Sequence, residues 1–306
     1  MFYYLIMQLI LGSEKCGYNY GGKIVEFLVK QINPNINVIV QDCHSSDVII
    51  SSHFFTIYPC DTLNKVKKNY IYFTGESYDP PFSQFHDKYI MISTFISDEP
   101  NRIYCPYFLL SPYLYLCRKY INNERPYLLA YCNSNPVKER EDLFNIFVEK
   151  TSFNECHSFG SCKGKYPATN IGKLIGTWES KEIIDKYKDY KFVIAMENKK
   201  KDGYVTEKIL NAFYSGAIPI YWGSSNIKEF FNEKAFINVD DFESFEKCVE
   251  YVINLTNEQI QLMANEPIYN PDNDIVNLFN DDFNSQGNKT LCRYLEILKT
   301  ILPSHI

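Results

Sequence analysis

The run from Tyr190 to Gly223 constrains what this chain can fold into more than any other: Tyr-Lys-Phe-Val-Ile-Ala-Met-Glu-Asn-Lys-Lys-Lys-Asp-Gly-Tyr-Val-Thr-Glu-Lys-Ile-Leu-Asn-Ala-Phe-Tyr-Ser-Gly-Ala-Ile-Pro-Ile-Tyr-Trp-Gly. Phe192 to Ala195 reads as an apolar strand, Val205 to Tyr214 as a helix, Gly216 as its stop, and Ala217 to Tyr221 as a second strand. Two strands joined by one helix make a βαβ unit, and such units belong to parallel sheets covered by helices. At about 100° per residue, Tyr204, Glu207, Lys208 and Asn211 share one face of the expected helix, and Val205, Ile209, Ala212 and Phe213 share another. The second face packs. The first begins at a helix N-terminus, where backbone N–H groups and the positive dipole end favour an anion such as a phosphate. A solvated amphipathic helix would show the same spacing.

The same alternation runs through the rest of the chain. Upstream, Phe2 to Leu11, Ile36 to Gln41, Asp47 to Ser51 and Tyr70 to Phe73 read as strands, with a helix over Gly22 to Gln31. Tyr127 to Cys132 then opens a second series, followed by helices over Val137 to Lys150 and Lys181 to Lys188. The stretch from Arg118 to Pro126 is polar and ends in proline, as a linker would. At 306 residues the chain exceeds the ~150 typical of one domain. The expected fold is therefore α/β: two Rossmann-like domains facing a cleft, over residues 1–117 and 127–280, with 118–126 between them. An amphipathic stretch within 281–306, Leu291 to Ile301, is expected to form a last helix, whose packing the sequence leaves open, a return to the first domain being one option. Thr74 to Pro81 interrupts the chain at a strand's carboxyl end, where ligands collect in open α/β sheets, and this marks Glu76.

Charge and composition narrow the partners. With 31 Lys+Arg against 37 Asp+Glu, the net charge of -6 provides no overall basic field for nucleic acid. Any anionic ligand must meet a local basic site. The 10 cysteines are scattered without a C-x-x-C pair, as for reduced thiols, and Cys156-His157 with Cys162 lacks the second cluster of a zinc site. Asp272-Asn273-Asp274 is a D-x-D string beside Pro271, read as turn chemistry rather than a metal site. The five histidines share no ligand spacing. Met1 to Leu11 is apolar but has no basic leader and is short of the ~20 residues of a membrane span, so it is read as a buried strand. A cytoplasmic, reducing location and no transmembrane segment are expected. The sequons at Asn254 and Asn288 are a triplet frequent by chance in an Asn-rich chain and do not establish secretion.

The central run closely resembles the signature of the α-1,3/4-fucosyltransferases, glycosyltransferase family 10, especially its bacterial members. The resemblance runs from Phe192 through Glu197-Asn198 and Tyr204-Val205-Thr206-Glu207-Lys208 to Pro219 and Gly223, then through Phe230 and Phe236-Ile237-Asn238-Val239. Upstream, Phe73-Thr74-Gly75-Glu76 resembles the family's short Glu motif, and Cys132 to Phe144, with Asn135 and Arg140, resembles the opening of its donor-binding half. Two departures stand out. Lys199-Lys200-Lys201 occupies a place where many members have a small polar residue, and the transmembrane stem of Golgi-type relatives has no counterpart.

The resemblance implies a GT-B fold and an inverting enzyme that moves L-fucose from GDP-β-L-fucose to a hydroxyl of a glycan acceptor, in an α-1,3-type linkage. By position in the motifs, Glu76 matches the general base, and Arg140 and Lys208 match cationic contacts of the diphosphate. Asn198, Tyr204 and Glu207 match donor-site residues, Glu207 lying either against the ribose or beside the developing sugar cation. No obligatory metal or cofactor is implied, since cations and a helix terminus can take a metal's place beside the diphosphate. A transferase using another GDP-sugar, or a non-catalytic glycan- or nucleotide-binding protein on the same fold, remains open at this point.

Overall fold

The computed structural model describes residues 8–13, 22–41, 46–52, 69–79, 89–110, 125–174, 181–270, 273–278 and 288–304. The chain divides into two compact units, residues 1–106 with 277–306 and residues 107–276. The expected linker lies outside the described residues except for Arg125 and Pro126. Arg125 is tied into the second unit, its guanidinium donating to the carbonyls of Tyr190 at 2.7 Å and Ser215 at 2.8 Å.

The first unit carries a six-stranded parallel sheet of β1 (Gln8–Ser13), β2 (Asn37–Gln41), β3 (Val48–Ser52), β4 (Asn69–Thr74), β5 (Tyr89–Ser93) and β6 (Arg102–Tyr104). Its order is β2-β1-β3-β4-β5-β6. Helix α1 (Lys23–Ile32) buries Ile24, Val25, Leu28 and Val29, an i, i+1, i+4, i+5 stripe that fixes which face meets the core. The sequence does not announce β6, because Arg102 makes it look polar. Arg102 is only 3% exposed, and its burial depends on a two-pronged bond to Asp79 at 2.8 and 3.0 Å and a third to Glu99 at 2.5 Å. The expected strand over Phe2 to Leu11 appears as β1, with residues 1–7 outside the described set.

The second unit holds β7 (Tyr127–Tyr131), α2 (Lys138–Lys150), β8 (Cys156–Ser158), α3 (Lys181–Tyr187), β9 (Tyr190–Met196), α4 (Glu207–Tyr214), β10 (Ile218–Trp222), α5 (Ile227–Phe230), β11 (Ile237–Asn238), α6 (Phe245–Ile253) and α7 (Asn257–Asn265). Its five strands are also parallel, in the order β11-β10-β9-β7-β8. Read from the first strand of each unit, both sheets set the first strand between the second and the third. Each therefore reverses direction once, between β1 and β3 and between β7 and β9. Leu129, Tyr131, Leu143, Phe144, Phe147, Phe192, Ile194, Ile218 and Ile220 are all 2% exposed or less and form the core between sheet and helices.

Helix α4 begins two residues later than the pattern of Val205 to Tyr214 predicts. Thr206 is extended (φ -106°, ψ -173°) and serves as N-cap, because its N–H and its hydroxyl are both bound by the Glu197 carboxylate and are unavailable to a preceding turn. Tyr204 consequently precedes the helix and does not share the face of Glu207 and Lys208. The helix ends as expected at Gly216, whose φ of +78° only glycine adopts without strain and whose N–H bonds Phe213 at 2.9 Å.

Two short ends complete the chain. Asn273 accepts the N–H groups of Ile275 and Val276 and so starts α8 (Asp274–Leu278), while Asp272 lies outside the described residues. Helix α9 (Lys289–Lys299) packs on α1 and β6, and the Tyr294 hydroxyl donates to the Tyr104 carbonyl. The sequon residue Asn288 is buried as the cap of α9, accepting the Leu291 N–H at 2.8 Å. Among the described residues the cysteines are free thiols, no helix is long and apolar enough to cross a membrane, and no three potential metal ligands cluster.

Candidate active site

The second unit has a cavity of about 300 Å³ at the carboxyl ends of β7 and β9, the point where its strand order reverses. Open α/β sheets bind ligands at such a point, because the loops leaving the two strands diverge there. Residues 132–135 follow β7, Arg140 comes from the first turn of α2, Asn198 follows β9, and Glu207 and Lys208 open α4. Four of the five expected donor-binding residues thus meet in one cavity: Arg140, Asn198, Glu207 and Lys208. Tyr204 is 3% exposed and is not among the lining residues.

Arg140 is the central feature. It is 1% exposed, with Nη1 donating to Asn133 Oδ1 and Nη2 to Asn198 Oδ1. Its Nε has no hydrogen-bond partner, and among the described residues no carboxylate lies within ion-pair distance of it. Burial holds the guanidinium below its ordinary pKa. A buried cation held by neutral amides pays a desolvation cost of several kcal/mol that an anion in the cavity would offset. The backbone of Asn133 is held in turn by close packing: a Cβ on Gly160 would sit 2.0 Å from the Asn133 carbonyl oxygen, so only glycine is accommodated.

Lys208 is arranged differently. Its side chain is 21% exposed and reaches the cavity, with Nζ 3.2 Å from Glu197, 2.9 Å from the Thr206 hydroxyl and 3.7 Å from Glu207. Burial alone would lower the Lys208 pKa, but the charges of Glu197 and Glu207 outweigh it and hold the ammonium above its ordinary value. Glu197 is 0% exposed; burial raises its carboxyl, opposed by Lys208 and by the N–H and hydroxyl of Thr206. The site so assembled can receive an anion between Arg140 and Lys208 while keeping one carboxylate, Glu207, at its wall.

Glu76 lies in the first unit, just beyond the carboxyl end of β4, and is half-buried. Its turn is pinned at both ends. Thr74 Oγ1 accepts the Glu76 N–H at 3.2 Å and donates to the Tyr78 carbonyl at 2.9 Å, while Thr94 Oγ1 lies 3.2 Å from the Glu76 carbonyl. Asp79, three residues on, is locked to Arg102. The lysine cluster stands apart from the cavity: Lys200 pairs with Asp240 at 2.6 Å and lies over the Trp222 ring, and none of Lys199, Lys200 and Lys201 lines the cavity. Residues to which the sequence assigns no role include Asn133, Gly160, Lys173 and Tyr187, all at the cavity wall, and Glu197 behind it. They come from separate segments whose meeting no local spacing reveals.

Residues 122–266 match the family described as glycosyltransferase family 10 (fucosyltransferase), C-terminal domain. An α-(1,3)-fucosyltransferase of Helicobacter pylori is 29% identical over 211 residues, covering 60% of this chain and 43% of that protein. An α-(1,3)-fucosyltransferase B of Drosophila melanogaster is 34% identical over 136 residues, covering 44% of this chain and 30% of that protein. The chain thus spans less than half the length of these curated relatives. A solved α1,3-fucosyltransferase with GDP-fucose aligns with a TM-score of 0.66 at 18% identity, over 100% of this chain and 94% of that one. That likeness gives the fold class, GT-B, with two Rossmann-like units. The segment that builds the cavity is thus the part of the chain that is similar to glycosyltransferase family 10.

Proposed function

We propose that the chain transfers L-fucose from GDP-β-L-fucose to a hydroxyl of a glycan, with inversion and in an α-1,3-type linkage, and that the second unit holds the donor. The observation that carries this reading is the buried guanidinium of Arg140, held by the amides of Asn133 and Asn198 with no ion pair among the described residues, in a cavity whose wall also bears Lys208. Breaking the glycosidic bond leaves negative charge on GDP, so cations fixed in advance act chiefly on the transition state. Arg140 and Lys208 take the diphosphate, Asn198 holds Arg140 in place, and Glu207 lies against the fucose or the ribose of the nucleotide. Since side chains supply the positive charge, a divalent ion is not required.

The acceptor hydroxyl is a weak nucleophile until its proton is taken in the transition state, a step that needs a carboxylate. We assign this step to Glu76, whose fixed turn at the end of β4 supports the assignment. The test is a hydrolysis screen over nucleotide sugars, because water replaces the unknown acceptor. Fucose release from GDP-fucose, with little from GDP-mannose or UDP-sugars, is expected. Turnover of a UDP-sugar with none of GDP-fucose would overturn the proposal.

A further inference from the structure

We infer that Glu197 is a positioning residue for nucleotide binding, acting on the GDP moiety through the Lys208 ammonium, which it fixes at the first turn of α4. The inference rests on the donor reading above and deepens it. Glu197 is 0% exposed and does not line the cavity, so it does not touch a ligand there. Lys208 does line it.

The geometry links the two in a closed set. Glu197 Oε1 accepts the Thr206 N–H at 2.7 Å, and the Thr206 hydroxyl lies 2.9 Å from Oε2 and 3.0 Å from Oε1. The hydroxyl donates to the carboxylate and is left with a lone pair for Lys208 Nζ at 2.9 Å, while Nζ also reaches Oε2 at 3.2 Å. A lysine side chain is long and flexible and normally loses its rotamer freedom when it engages a ligand. Here two acceptors hold it before the ligand arrives, which is preorganisation in the sense that raises affinity. A neutral acceptor would hold the ammonium less well, because a charged partner roughly doubles the strength of the bond and keeps a half-buried amine protonated. The contrast with Arg140 follows: one cation of the cavity is fixed by a carboxylate, the other by amides.

The test is a double-mutant cycle on GDP affinity, measured by titration calorimetry on the full chain. Glu197→Gln preserves volume and one acceptor but removes the charge, and is expected to weaken GDP binding by about 10-fold or more. Lys208→Met is expected to weaken it at least as much, and the double variant should bind GDP no worse than Lys208→Met alone. If Glu197 serves the fold alone, Glu197→Gln costs the same factor in both backgrounds, and that additivity overturns the inference, as does wild-type affinity in Glu197→Gln. Should Glu197→Gln not fold, Thr206→Val breaks the hydroxyl link instead: its effect should likewise vanish beside Lys208→Met, and additivity would again overturn the inference. Absence of GDP binding by the wild-type chain would remove the donor reading, and this inference with it.

Discussion

Arg140 on α2 and Asn198 beyond β9, 58 positions apart in sequence, are joined by a hydrogen bond from Nη2 to Oδ1, while Nη1 of the same guanidinium is bound by Asn133. Both prongs of the fork are thus occupied by neutral oxygens, and the charge stays available to an anion. A lysine at this position would keep the charge but could not hold both asparagines, since its ammonium is a point charge on a flexible stem. Arg140→Lys should therefore weaken GDP binding by about 10- to 100-fold, a loss of the order of one or two charge-assisted hydrogen bonds. Calorimetric titration checks it; an unchanged affinity would mean that the fork geometry is irrelevant to the ligand.

Gly160 and Asn133 approach so closely that a methyl group has no room, with only 2.0 Å between a built Cβ and the carbonyl oxygen. Gly160→Ala should lower stability by about 1–3 kcal/mol through overpacking and should also weaken GDP binding, because Asn133 is pushed from Arg140. Denaturant unfolding and GDP titration report the two effects separately. Full stability with full affinity would show that the Asn133 backbone retreats without cost.

How much of this was legible in the sequence depends on how local the cause is. The βαβ unit of β9, α4 and β10 follows from short-range period and from the Gly216 stop, and α2 lies within one residue of its expected start. Arg140, Asn198, Glu207 and Lys208 were found through their motif and meet in one cavity. Tyr204 was placed on the wrong side of a helix start, because the cap at Thr206 is set by Glu197, nine positions earlier. Glu197 itself reads as an ordinary carboxylate at a strand end; its role exists only once α4 folds back on β9. Strand β6 was missed for a similar reason, since Arg102 is made tolerable inside by Asp79, 23 positions away.

His157 on β8 lies with Nδ1 2.8 Å from the Tyr190 hydroxyl, and burial, with the charge of Lys186 added, holds its pKa below the ordinary value. The fold therefore favours the neutral ring. Above about pH 6.5 both folded and unfolded states are neutral there, and no penalty arises. As pH falls through that value the unfolded chain takes up a proton first, so stability drops until the lower folded pKa is reached. Between pH 7.5 and 5.5 the melting temperature of the wild type should fall more than that of His157→Gln. Parallel acid limbs would exclude His157 as the cause.

With Arg140 and Lys208 at the cavity wall, positive charge for a departing diphosphate is already in place. Donor hydrolysis should consequently survive EDTA, although an added divalent ion can still speed GDP release. Complete loss of turnover, restored by metal, would contradict this.

The most direct test of the account sets Glu76→Gln beside Lys208→Ala, measuring GDP affinity by calorimetry and fucose transfer from GDP-fucose on the same samples. Glu76→Gln should bind GDP as the wild type does while transfer falls by ~10²- to 10⁴-fold, the usual worth of a general base. Lys208→Ala should lose GDP affinity itself. Wild-type transfer by Glu76→Gln, or a loss of GDP binding equal to that of Lys208→Ala, would contradict the assignment of proton removal to the first unit and donor binding to the second.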